Sequence, residues 1–177
     1  MPNHYFFAIP IPPNVKEQLF QWRLQYERQL SFRTWTHKDD YHITLAFLGE
    51  ATTALSAFQL EDVPVSRFSL GIEGLYTFGM EHRPRILWAG VEHRSEIITL
   101  QTYVYDACEK LGYQLDKRPF QPHITLAKRW IDALPFENKM PINPLKFTVD
   151  HFSLFVTHME ETPKYEEIAT FPLFYKS

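Results

Sequence analysis

His42-Ile43-Thr44-Leu45 returns, residue for residue, as His123-Ile124-Thr125-Leu126. Histidine is the side chain whose proton affinity lies nearest neutral pH, so two of them can divide labour as base and acid. Threonine hydroxyls can donate to the oxygens of a phosphate. In an extended strand successive side chains point to opposite faces. Each tetrapeptide therefore puts His and Thr on one face, with Ile and Leu on the other. Two such strands would place two imidazoles and two hydroxyls around one cavity. That pattern suits cleavage of a phosphodiester, where the attacking and leaving oxygens lie on opposite sides of phosphorus.

The elements around these strands repeat as well. Phe6-Phe7-Ala8-Ile9 reads as a buried strand, apolar throughout. Pro12-Pro13-Asn14 then opens a helix, with Val15, Leu19, Trp22, Tyr26 and Leu30 as its apolar stripe. The first histidine strand follows, ending at a turn at Gly49. In the second half the order is the same. Arg85 to Val91 is a buried strand, and Ser95 caps a helix whose stripe is Ile97, Leu100, Val104, Ala107 and Leu111, stopped by Gly112. Lys117 to Pro122 is an extended lead-in to the second histidine strand, because each proline turns its predecessor away from helix geometry. A weaker helix is expected from Ala51 to Leu60. Extended runs from Arg67 to Phe78, Lys146 to Thr157 and Ile168 to Phe174 complete the chain, and Arg67-Phe68-Ser69-Leu70 resembles Lys146-Phe147-Thr148-Val149.

This is an internal duplication with a period too long for a solenoid. The expected fold is α+β and bilobal: two lobes related by a pseudo-two-fold axis, each a mostly antiparallel sheet with a packed helix. The active site falls in the cleft between them. Residues 1–177 read as a single domain of two intertwined lobes, with repeat units of approximately 4–78 and 84–157.

Composition bounds the function. A chain of 177 residues with 45% hydrophobic and 16% aromatic content buries a proper core. A net charge of −3 argues against a basic surface for gripping long nucleic acid, but leaves room for a local basic pocket. Its candidates are Arg83, Arg85, Lys117, Arg118, Lys128 and Arg129. No apolar run approaches the roughly 20 residues that span a bilayer, and the N-terminus lacks the features of a signal peptide, so the expected location is cytoplasmic. Cys108, alone, is a plain buried thiol. A metal site is the chemical rival. Two histidines are a thin ligand set, and only Asp39 and Asp40 stand near in sequence, so neither metal nor cofactor is expected. His4, His37, His82, His93, His151 and His158 lack any repeat and default to surface or structural roles.

The sequence resembles the 2H phosphoesterase superfamily, and within it the RNA 2′,3′-cyclic phosphodiesterases, also called 2′-5′ RNA ligase-like proteins. The resemblance rests on Phe6 to Ile9, His42 to Glu50, Arg85 to Gly90 and Arg118 to Leu126, in the family's order along the chain. It implies metal-independent hydrolysis of an RNA 2′,3′-cyclic phosphate end, or of a related cyclic nucleotide, to a 2′-phosphate. It further implies His42 as proton donor and His123 as proton acceptor, with Thr44 and Thr125 at the phosphate. No membrane or obligate protein partner is implied. Alternatives are a non-catalytic module that holds an RNA end or 2′-phosphate, a 2′-5′ RNA ligase, and a small cyclic-nucleotide phosphodiesterase. Relatives commonly carry arginine five residues after the second histidine, where this chain has Lys128. Strict alternation from His123 instead puts Arg129 on the catalytic face. A bulge near Ala127 would return Lys128 to it, and Lys128 is the expected phosphate contact.

Overall fold

The computed structural model describes residues 2–51 and 55–175. Its elements run β1 (His4–Pro10), α1 (Pro13–Tyr26), β2 (Phe32–Trp35), β3 (His42–Glu50), β4 (Phe68–Met80), β5 (Arg83–Val91), α2 (Ser95–Lys110), β6 (His123–Trp130), β7 (Leu145–Val149), β8 (His151–Thr157) and β9 (Tyr165–Pro172). Two sheets result, of strand order β3-β1-β8-β9 and β2-β6-β5-β4-β7. Every recorded strand pair is antiparallel. The α+β, two-lobed fold expected from the duplication is the one observed.

The sheets interlock. In each half the first strand pairs with its histidine strand, β1 with β3 and β5 with β6. The other neighbour is borrowed: β8 closes onto β1, while β4 closes onto β5. The look-alike segments at 68–70 and 147–149 pair with each other, Phe68 facing Val149 and Leu70 facing Phe147. The expected single run from Lys146 to Thr157 is broken at Asp150, which lets its two parts join different sheets.

One contiguous core joins the sheets and both helices. Phe7, Ile9, Ile43 and Leu45 come from the four-stranded sheet, and Leu70, Ile72, Leu87, Ile124 and Leu126 from the other. Each such side chain contributes roughly 1.5–3 kcal/mol on burial. α1 adds Val15, Leu19 and Trp22, and the Trp22 indole N–H donates to the Pro141 carbonyl at 2.8 Å. α2 adds Ile97, Leu100, Val104 and Cys108, and Gln101 Nε2 donates to the Leu45 carbonyl of β3.

Several local expectations need correction. The α2 stripe ends on Cys108 rather than on Ala107 and Leu111, which are only half-buried. Ser95 is the first helical residue, not the cap, and its hydroxyl bonds the Glu96 carboxylate. Of the helix expected from Ala51 to Leu60, the described part is one 3-10 turn, Leu55–Ala57, and residues 52–54 lie outside the described residues. β2 was not expected, being four residues with no alternation of its own. It forms because β6 offers an unpaired edge, where Thr34 pairs with Lys128 and Trp35 with Ala127.

Candidate active site

β3 is an edge strand of the four-stranded sheet and comes within 8 Å of β6, Cα to Cα. Ile43, Leu45, Ile124 and Leu126 are buried in the common core, while His42, Thr44, His123 and Thr125 face the cleft, half-buried. The alternation read from the tetrapeptides holds in both strands.

Each histidine is oriented the same way. His42 Nδ1–H donates to the carbonyl of Asp40 at 2.7 Å, and His123 Nδ1–H to that of Gln121 at 2.7 Å. A carbonyl accepts only, so both neutral rings carry their proton on Nδ1 and leave Nε2 as the acceptor. His42 Nε2 accepts from the Thr44 hydroxyl at 3.0 Å. No hydrogen bond reaches His123 Nε2 among the described residues.

The floors beneath the rings differ. Phe6 lies against His42 with ring centroids 4.9 Å apart, and Tyr165 meets it edge-on at 5.1 Å. Phe155 stacks on Phe6 at 5.3 Å and closes a small apolar cluster with Ala8. His123 rests against Trp88 at 5.6 Å and Phe78 at 5.1 Å, with Tyr76 stacked on Trp88 at 4.9 Å. Gly90, opposite His123 in the ladder, makes this possible, because a Cβ there would lie 2.4 Å from the Glu73 carbonyl and 2.6 Å from the Tyr76 ring.

Burial disfavours charge on both imidazoles. It pushes His42 down to about 4, opposed by the bond to the Asp40 carbonyl and by the Asp40 carboxylate, and reinforced by His123 and Lys128. His123 is also lowered by burial, against the bond to the Gln121 carbonyl.

Two cavities adjoin, sharing Thr44 and Phe47. The first, of about 400 Å³, is lined by His42, Thr44, Thr125 and Lys128. The second, of about 500 Å³, holds His123, Arg85 and Arg118. Lys128 reaches the first because β6 bulges. Leu87 pairs with Ala127 and Trp88 with Thr125, so Leu126 is the extra residue and both Leu126 and Ala127 are buried. The bulge sits one residue earlier than expected and has the expected effect. Arg129, with φ of +63°, lines neither cavity.

Of the nominated basic cluster, Lys128, Arg85 and Arg118 line the cavities and the others do not. Arg83 bonds the Asp132 and Ala133 carbonyls, Arg118 pairs with Asp116, and neither Arg83 nor Lys117 lines the two cavities. Cys108 is fully buried and its thiol is pushed up to about 12 by that burial. Among the described residues no three His, Cys, Asp or Glu side chains come together as a ligand set.

Sequence reasoning missed four contributors on the His42 side. Asp40, considered only as a metal ligand, is 4% exposed, and its carboxylate accepts the backbone N–H groups of Lys164 and Tyr165, each at 3.1 Å. Lys164, just before β9, and Tyr165, its first residue, line the His42 cavity, and His37 joins them there while its Nδ1 keeps a structural role, accepting the Asp39 N–H. No local pattern announces these residues, because their placement depends on a pairing across most of the chain.

Comparison with known proteins agrees with this geometry. The family model of the 2′-5′ RNA ligase superfamily matches residues 11–161. A protein of Geobacillus stearothermophilus named RNA 2′,3′-cyclic phosphodiesterase is 42% identical over 183 residues and covers 97% of this chain, which spans 57% of that relative's length. One of the same name from Bacillus subtilis (strain 168) is 33% identical over 177 residues, 96% of each chain. A solved structure described as a phosphoesterase superposes with a TM-score of 0.83 and 25% identity, covering 99% of this chain and 100% of the other. With matching strands, matching lobes and a family model spanning most of its residues, the chain belongs to the 2′-5′ RNA ligase superfamily.

Proposed function

We propose that this protein hydrolyses the 2′,3′-cyclic phosphate at an RNA end, or in a related cyclic nucleotide, to a 2′-phosphate and a free 3′-hydroxyl, without a metal or other cofactor. The carrying observation is the pair of imidazoles fixed through Nδ1 in the same tautomer beside one cleft. The relatives named RNA 2′,3′-cyclic phosphodiesterase support the choice of substrate.

In this reading His123 Nε2 takes a proton from water as its oxygen bonds to phosphorus. The bond to the 3′ oxygen breaks, and His42 Nε2–H protonates that oxygen. Thr44, Thr125 and Lys128 hold the non-bridging oxygens. Burial keeps His42 neutral near pH 7, so its proton must arrive with the substrate, whose negative charge raises the affinity of a nearby imidazole for a proton. The repeat units, approximately 4–78 and 84–157, act here as one domain, and we place the reaction in the cytoplasm, where a lone buried thiol is at home. No helix among the described residues is long and apolar enough to cross a membrane.

The test is incubation with a 2′,3′-cyclic mononucleotide and with a cyclic-phosphate-ended oligonucleotide in EDTA. A 2′-phosphate product in EDTA is the expected outcome. Turnover that stops in EDTA and returns with a divalent ion would overturn the mechanism. Tight binding of a 2′-phosphate with no turnover at all would mark the protein as a receptor.

A further inference from the structure

Resting on that reading, we infer that Lys164 is a second phosphate-binding cation, which brackets the phosphate with Lys128 from the opposite sheet and favours the 2′-phosphate product over the cyclic diester. Both lysines line the cavity that holds His42, Thr44 and Thr125. Lys128 projects from β6 in the five-stranded sheet, and Lys164 immediately precedes β9 in the four-stranded one.

Lys164 is held there through its backbone. The buried Asp40 carboxylate accepts Lys164 N–H and Tyr165 N–H, and the Asp40 carbonyl accepts His42 Nδ1–H. One residue thus fixes both an imidazole and the segment that carries the lysine. The Lys164 ammonium lies 5.0 Å from the centroid of the Tyr165 ring, whose edge contact with His42 ties the group to the reacting end. Among the described residues neither Lys164 nor Lys128 has an ion-pair partner.

Two like charges, neither with an ion-pair partner, repel. Lys128 feels this already, since burial first and Lys164 second lower its affinity for a proton. The other charged or titratable groups on the cavity wall are His37, His42, Asp40, Glu161 and Tyr165. The Asp40 oxygens accept the two backbone N–H groups, Glu161 is exposed, and neither carboxylate forms an ion pair with Lys164 or Lys128 among the described residues. An anion entering between the lysines relieves the repulsion. A cyclic phosphodiester carries one negative charge, whereas a phosphate monoester carries about 1.5 to 2 near pH 7. Two ammonium groups therefore discriminate toward the monoester.

The experiment measures binding of adenosine 2′-monophosphate by calorimetry, independent of turnover, alongside KM for adenosine 2′,3′-cyclic phosphate. Proteins compared are the wild type, Lys164→Met, Lys164→Arg and Arg129→Met. Lys164→Met is expected to weaken monophosphate binding roughly tenfold, to raise KM by less, and to be rescued by Lys164→Arg. Arg129→Met, outside both cavities, should leave binding unchanged. Unaltered monophosphate binding in Lys164→Met, or an equal loss in Arg129→Met, would overturn the inference while leaving hydrolysis by the wild type standing. Hydrolysis absent in the wild type would instead sink the proposed function, with the binding series still deciding on Lys164.

Discussion

The two half-sites start from the same tetrapeptide and end as different chemical environments. On the four-stranded sheet His42 sits among Phe6, Phe155 and Tyr165, with Nε2 engaged by Thr44 and a buried carboxylate two residues before it. On the five-stranded sheet His123 leans on Trp88 and Phe78, no described residue bonds its Nε2, and Gln121 stands where Asp40 stands in the other half. The repeated strand supplies direction, and the backbone carbonyl two residues before each histidine supplies the tautomer. The residues it lies against supply the proton affinity. A duplicated motif can thus yield two unlike groups with no change in the motif itself.

The strongest way to break this comparison is to remove either ring. His42→Ala and His123→Ala should each lower turnover by a hundredfold or more while far-UV circular dichroism stays native, since positioned acid–base groups typically contribute 10²–10⁴-fold. Near-normal turnover in either variant would mean that only one half-site reacts.

A smaller effect separates the two cations at the end of β6. Lys128→Ala should lower kcat/KM about tenfold, as expected for loss of a charge-assisted hydrogen bond. Lys128→Arg should preserve it, and Arg129→Ala should do little. A more damaging Arg129→Ala would mean that the β6 bulge does not aim Lys128 at the substrate.

The finest discriminator is titration of the rings. In the free protein the His42 signal, followed by NMR, should titrate with its midpoint at about 4, below that of the less buried His123, and a bound phosphate should raise both. The sign for stability follows. The folded-state affinity of His42 lies under its unfolded value of about 6.5, so its contribution is complete above that pH and is lost as pH falls toward about 4. Urea midpoints of the wild type should fall faster over this window than those of His42→Gln. Rings that titrate together would erase the distinction between the halves.

Much of this site was legible because a strand has a period of two. Four letters repeated twice were enough to separate cleft from core, and the order of the flanking apolar runs implied two antiparallel lobes. What remained hidden depends on partners distant in sequence. β2 is set by the free edge of β6, and Lys164 and Tyr165 are set by a carboxylate more than a hundred residues earlier. The choice of Lys128 over Arg129 turned on one extra residue in a ladder, which alternation alone cannot register. Ser95 looked like a cap because its residue type suits one, yet its hydroxyl went to a neighbouring carboxylate.

The exchange of β4 and β8 between the halves bears on how the molecule comes apart. Within the first unit only β1 and β3 bond to each other, and within the second only β5 and β6 among the sheet-forming core strands. A two-stranded ribbon is marginal in water, so neither unit has a foldable sheet of its own. Loss of either unit strips the other's ribbon of the strand beside it, β8 beside β1 or β4 beside β5. The histidine strands should therefore exchange their amide hydrogens with deuterium in one cooperative step, and fragments divided between Met80 and Arg83 should be unstructured apart yet regain both half-sites when mixed.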